Sequence, residues 1–313
     1  MVKTETVFKS SDKAHMLMVT VWAPDNKQDI KAVVQIAHGM KEYMERYSEF
    51  AQYLTDNGIA VVGNDHLGHG RSTENKTELG FFSSGDSSDI LVKDMYRLTK
   101  RINKAFPGVP KFLIGHSMGS FLTRRYLTIY GNELDGVIIM GTGSQSQLTL
   151  KAGLGIIKLL SFIYGDKHRS NFVNKIVFGG YNKKISEKDT GNWLTKDQSV
   201  VDTYNGDPYC NFVFTLNGFK WLFENMEYVQ KPDNYMKTPK DIPMLIISGK
   251  DDPVGNYGKG VKKVYDIYKK CGVHDVSMKL YENDRHELIN ETDKEVVYAD
   301  ILDWIVKNKE SRL

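Results

Sequence analysis

The sequence predicts an α/β fold in which a mostly parallel sheet carries helices on both faces. Three observations predict it. Short, continuously apolar runs recur along the chain, as at 32–37, 59–63, 136–140 and 243–248, and strands buried on both faces read this way. Between them lie stretches with apolar residues three and four apart, the spacing of an amphipathic helix. The alternation of the two belongs to parallel sheets with crossover helices.

In chain order, residues 16–22 read as a strand ending at Ala23-Pro24, and 32–37 as the next. Residues 47–56 form a helix stopped by Asn57-Gly58, followed by the strand at 59–63. Leu91, Met95, Leu98 and Ile102 mark one face of a helix that starts near Asp86, Ser87 and Ser88, all good N-cap types. The run 110–114 leads into Gly115-His116-Ser117-Met118-Gly119, and residues 120–127 behind it show helical spacing. Another buried strand follows at 136–140. From 144 to 240 the rhythm breaks, with Phe162, Phe178, Trp193, Phe219 and Trp221 set among polar turns. This stretch reads as a mainly helical insertion over the sheet. It divides the chain into a core of residues 1–143 and 241–313 and an insertion of 144–240. The core resumes with a strand at 243–248, a helix at 261–270, a strand at 276–280 and a helix at 296–307.

A chain of 313 residues fits one large core plus such an insertion. Hydrophobic residues make up 41% and charged residues 26%, an ordinary balance for a globular protein. A net charge of +3, with Lys and Arg scattered, gives no case for nucleic acid. Two cysteines, Cys210 and Cys271, make no disulfide framework and suit a reducing compartment. The N-terminus shows no apolar signal segment, and the apolar stretch 154–164 is broken by Lys158 and too short to span a bilayer. The expectation is a cytoplasmic protein.

The Gly-x-Ser-x-Gly at 115–119 lies between a strand and a helix, the context of a nucleophile elbow. A serine on so sharp a turn sits at a strained backbone angle, and glycines at 115 and 119 relieve the crowding. Serine is a poor nucleophile until an oriented base takes its proton. In this arrangement the partners follow in the order acid, then histidine, each after a later strand. Asp251 and Asp252 follow the strand at 243–248. Asp252 is the better acid because Pro253 fixes the turn behind it, while Asp251 suits a local cap. His286 lies in the loop after the last strand and is the expected base. Two backbone N–H groups must face the developing oxyanion, and Met118 and Met40 are the candidates. Gly39 allows close backbone approach, and with His116 it completes the expected binding set. Asp65, His66 and His69 follow another strand but lack metal-ligand spacing, so no metal is expected and the loop reads as structural.

Taken together, His38-Gly39-Met40-Lys41-Glu42-Tyr43 with Arg46-Tyr47, the 65–72 loop, the elbow with Ser120, and Gly249-Lys250-Asp251-Asp252-Pro253-Val254 resemble the monoglyceride lipase and lysophospholipase group of α/β-hydrolases. That group overlaps with the serine aminopeptidase family. The resemblance covers roughly residues 32–143 and 242–313. It implies an α/β-hydrolase fold with an eight-stranded sheet, a helical cap formed by the insertion, and ester hydrolysis without a cofactor. One departure stands out: animal monoglyceride lipases usually have Gly-Glu-His where this chain has Lys41-Glu42-Tyr43. The expected partner is a small acyl ester, lipid-like given the sticky run Leu154, Ile156, Ile157, Leu159, Leu160, Phe162 and Ile163. Transient contact of the cap with a membrane or micelle fits the same run, and the oligomeric state is left open. Two other readings compete. An aminopeptidase or amidase would use the same three residues and need acids such as Glu42, Glu45 or Glu224 for a free amine. A catalytically inert ligand receptor has no use for Ser117, Asp252 and His286 together.

Overall fold

The computed structural model describes residues 1–85, 87–185 and 192–310. Among these, eight strands form one sheet: β1 (Val2–Lys9), β2 (Met16–Ala23), β3 (Ala32–Ala37), β4 (Ile59–Asn64), β5 (Lys111–His116), β6 (Gly136–Met140), β7 (Met244–Gly249) and β8 (Val276–Tyr281). Their order across the sheet is β1-β2-β4-β3-β5-β6-β7-β8. The β1–β2 and β2–β4 pairs are antiparallel, and every pair from β4 to β8 is parallel. The strand β1 escapes the sequence reading because it is an edge strand with only Phe8 buried, so no apolar face marks it.

Strands β3, β4, β6 and β7 are buried along their whole length, because helices cover both faces. On one face, Val33 and Ala37 of β3 join a core with α2 (Ile90–Ala105), α3 (Met118–Tyr130) and α9 (Lys259–Lys270). On the other, Ala32, Val34 and Ile36 meet α1 (Ser48–Asp56) and α10 (Lys294–Glu310). The period-two alternation of β3 therefore divides one strand between two cores. The helix α2 starts with Asp89 at its N-cap, which makes no side-chain cap bond. Ser88, one of the three cap candidates, instead accepts a hydrogen bond from the Arg125 guanidinium at 3.0 Å. Asp86 lies outside the described residues.

Between β6 and β7 run α4 (Gln147–Tyr164), α5 (Asn171–Phe178), α6 (Gln198–Gly206), α7 (Leu216–Tyr228) and the short α8 (Pro232–Tyr235). Ser146, Ser170, Asp197 and Thr215 cap the first four through their side chains. Here the sequence reading needs a correction. The apolar stretch is longer than expected, since α4 runs for 18 residues and is long and apolar enough to cross a membrane. Only Leu150, Leu154 and Ile157 are buried in it, where it packs against α7.

Register places the site. In the sheet Ala37 pairs with Gly115, so the loop after β3 runs beside the turn after β5. Gly249 pairs with Tyr281, so the loops after β7 and β8 are also neighbours. All four loops leave the carboxyl ends of parallel strands, where open α/β sheets bind their ligands.

Candidate active site

Ser117 sits between β5 and α3 with φ 54° and ψ −117°, a left-handed backbone that a serine adopts only under constraint. Its N–H donates to the Met140 carbonyl at 3.0 Å, which ties the turn to the neighbouring strand. A Cβ at Gly119 would strike the Ala37 carbonyl, and one at Gly115 would strike Thr123. The two glycines are therefore required by close approach of β3 and α3. Met118 is the first residue of α3, so its N–H is one of the free donors at a helix start.

Asp252 and His286 come together on the neighbouring loops. The His286 Nδ1–H donates to Asp252 Oδ2 at 2.9 Å, and both side chains are buried. Ser248 Oγ donates to the same oxygen at 3.1 Å, and the Val254 N–H donates to Oδ1 at 2.8 Å. Asp251, one residue away, is exposed. The turn at Pro253 thus sends one aspartate inward and the other to solvent.

The loop after β3 is held by histidines. The His66 N–H donates to His38 Nε2 at 2.9 Å, so the proton of His38 lies on Nδ1, which donates to the Gly39 carbonyl at 2.8 Å. In a trans peptide the following N–H points the opposite way, which turns the Met40 N–H away from His38. Burial pushes His66 down to about 3 and His69 down to about 4, and His38 falls well below the usual histidine range. These three histidines are thus neutral packing groups beneath the site.

Neither Gly39 nor His116 lines the cavity. A Cβ on Gly39 would lie 2.9 Å from Ser117 Cβ, so this residue keeps the loop against the serine. His116 works from behind. Its Nδ1 lies 2.7 Å from Glu42 Oε1, and its Nε2 lies 3.1 Å from the His286 carbonyl. Both partners are acceptors, so both ring nitrogens carry protons and the ring is an imidazolium. The Glu42 carboxylate accordingly raises His116, while that imidazolium overcomes burial to hold Glu42 down at about 2. Tyr47 donates to Glu42 at 2.8 Å. Arg46 forms a bidentate pair with Glu287 at 2.8 and 2.6 Å.

These groups open on a cavity of about 750 Å³, within the range of small-molecule sites. Its floor is Met40, Ser117, Met118 and His286. Its roof comes from the insertion and is largely apolar: Leu148, Ile156, Ile157, Val173, Val177 and Leu222 line it. The residues Leu159, Leu160 and Phe162 of the sticky run are absent from the lining. Helical spacing turns Leu159 and Phe162 outward, and Phe162 is 88% exposed. Trp193 packs its ring 4.9 Å from that of His286. The Glu287 N–H donates to the Leu194 carbonyl at 2.8 Å, and the Lys196 ammonium reaches Asp284 at 2.6 Å. The segment after residue 191 is therefore bonded along the His286 loop.

The comparisons with known proteins decide the family. The family model described as serine aminopeptidase, S33 matches residues 28–293. The chain belongs to this family. A monoglyceride lipase homolog of Monkeypox virus is 28% identical over 280 residues, covering 88% of this chain and 89% of its own. The monoglyceride lipase of Rattus norvegicus is 26% identical, with 88% and 81% covered. Among solved structures, a highly thermostable carboxyl esterase from Bacillus coagulans in complex with glycerol superposes with a TM-score of 0.90 at 27% identity, covering 99% of both chains. This S33-family chain is an α/β-hydrolase and an enzyme.

Sequence reasoning named several residues of the site without their partners. Arg46 pairs with a residue 241 positions away, and Trp193 reaches His286 from the insertion. Neither has a local signal. Glu42 entered as part of the 38–43 motif and as a candidate amine binder, and its partners are His116, Tyr47 and Arg46.

Proposed function

We propose that the protein is a serine carboxylic-ester hydrolase acting on lipid-like acyl esters. The observation that carries this reading is an apolar-roofed cavity whose floor presents Ser117 and His286, with Asp252 hydrogen-bonded behind the imidazole. Ser117 Oγ attacks the ester carbonyl as His286 Nε2 takes its proton, and Asp252 keeps Nδ1 protonated and the ring in orientation. The N–H groups of Met40 and Met118 receive the negative oxygen of the tetrahedral intermediate. Its collapse breaks the bond to the alcohol oxygen, which takes the proton from His286 and leaves. Water, deprotonated by His286, attacks the acyl-serine; the acid departs and the proton returns to Ser117.

The aminopeptidase alternative is less well supported. A free amine needs a carboxylate facing it, and the acids on the cavity wall among the described residues are Glu42 and Glu287. Both are already paired with buried cations. Glu45 bonds Lys3 at the surface, and Glu224 is not on the wall. The outward side chains Leu159, Phe162 and Ile163 of α4 and Phe172 of α5 are exposed apolar groups outside the cavity lining. We infer that they rest transiently on the membrane or micelle that holds the substrate.

The reading is tested with Ser117→Ala on a panel of p-nitrophenyl esters, monoacylglycerols and aminoacyl anilides. Ester turnover should fall about 10³-fold or more, and a fluorophosphonate should label the wild type at Ser117. Retention of substantial activity by the variant, or faster wild-type turnover of the anilides, would sink the proposal.

A further inference from the structure

The cavity wall carries one lysine among the described residues, Lys41, directly after the Met40 donor. Its backbone has φ 60°, a left-handed conformation that disfavours any side chain and that glycine adopts freely. A strained residue at the edge of a reaction site invites a functional reason. Lys41 is half-buried, and among the described residues no carboxylate pairs with its ammonium. Its ammonium lies 5.7 Å from the centre of the Tyr204 ring, and the Arg46 guanidinium lies 5.0 Å from the same ring. Burial lowers its pKa, and no carboxylate offsets that.

The charges around it sharpen the point. Glu287 is neutralised by bidentate Arg46, and Glu42 by the His116 imidazolium. Those two pairs cancel, which leaves the Lys41 charge uncompensated inside a half-enclosed site. A half-buried cation without a counter-ion has lost part of its hydration, and an anionic ligand offsets that loss. The roof of the cavity is apolar and suits an acyl chain, so the anion belongs on the other part of the substrate.

We propose that Lys41 is the head-group determinant of this enzyme, binding a phosphate or carboxylate carried on the alcohol portion of the acyl ester. This rests on the ester-hydrolase reading. Since Lys41 and Ser117 line the same cavity, the anion lies on the part of the substrate that shares that cavity with the scissile ester. The substrate class is then a monoacyl ester of a small anionic alcohol, in preference to its neutral counterpart.

The test compares three esters of one acyl length below their aggregation concentrations: 1-acylglycerol, 1-acylglycerol-3-phosphate and the 1-acyl ester of glycerate. The readout is the ratio of kcat/KM for each charged ester to that for the neutral one. In Lys41→Met this ratio should fall about ten-fold or more, as expected for a lost charge-assisted contact. Lys41→Glu should lower it further, Lys41→Arg should retain most of it, and added salt should weaken it in the wild type. A fall confined to the phosphate or to the carboxylate ester identifies the anion. If the wild type turns over all three and the ratio does not move in Lys41→Met, the head-group assignment is overturned while the ester reading stands. An equal loss on all three esters means a structural role and overturns it too. Turnover of none of them by the wild type removes the ester reading itself, and the proposal with it.

Discussion

The floor and the roof of the cavity are built on different principles. On the floor, the carboxylate behind His286 is fixed by several directional hydrogen bonds: Asp252 accepts from His286, Ser248 and Val254. The roof is a layer of apolar side chains on helices that are only partly buried, with Ile156 and Ile157 inward and Phe162 outward on the same α4. A group that must hold a proton or a charge in place needs directional bonds. A group that must accept acyl chains needs only shape and dryness. The difference teaches that changes to the floor should alter chemistry or stability for every substrate, whereas changes to the roof should alter which substrate is preferred.

The sharpest test of that division is the pair of adjacent aspartates. Asp252→Asn should lower kcat on the order of 10⁴-fold, because the amide no longer selects the productive tautomer of the imidazole. The loss should be the same for short and long esters. Asp251→Asn changes an exposed carboxylate on the same loop and should leave kcat near the wild-type value. The reverse ranking, read from steady-state kinetics of the two variants, would move the acid to Asp251.

This pair also shows what a sequence makes legible. The inward Asp252 was readable because Pro253 fixes its turn, a local effect. Ser117 was readable for the same reason, since strand, glycine pair and helix are all within a few residues. The helix α2 announced its face because Leu91, Met95, Leu98 and Ile102 are all buried against the core. The helix α4 misled for an equally physical reason. It is apolar nearly all round, so its sequence does not say which side meets the fold, the cavity or the solvent. Leu159 and Phe162 belong to the run that suited an acyl chain or a core face alike, and they face outward instead. The positions that hold the floor from behind were hidden by distance along the chain. Glu42 meets His116 across 74 residues, and Arg46 meets Glu287 across 241.

A second test weakens the floor without touching its reacting atoms. Glu42→Gln leaves the His116 imidazolium without its carboxylate, and breaking a buried pair in this way costs about 3–5 kcal/mol. The pH dependence has a definite sign. Glu42 is depressed from 4.5 to about 2, so its stabilisation is present above 4.5 and is lost as pH falls towards 2. His116 is raised above 6.5, so its stabilisation is present below 6.5 and is lost as pH rises through the folded value. The gap in stability between wild type and variant should therefore be fully developed from 4.5 to 6.5 and shrink on both sides. Urea unfolding across that range measures it. A gap that is small or flat with pH would mean the pair is not ionised.

The smallest expected effect separates the two sides of α4. Ile156 lines the cavity, and Phe162, six residues on, is exposed to solvent. Ile156→Ala removes apolar contact with the acyl chain, a change worth about 1–3 kcal/mol of discrimination. It should shift the kcat/KM ratio of medium-chain to acetyl esters by about ten-fold, with little change in kcat for the acetyl ester. Phe162→Ala should leave that ratio alone for dispersed esters, because Phe162 does not line the cavity. Its effect should appear instead on vesicles, as weaker binding in a sedimentation assay and slower turnover of vesicle-held substrate. The two readouts cross only if the roof works differently from this account. A chain-length shift in Phe162→Ala on dispersed esters would mean that α4 turns on binding and brings its outer face inward. Loss of vesicle binding in Ile156→Ala alone would place the lipid contact at the cavity mouth instead of on the outer surface.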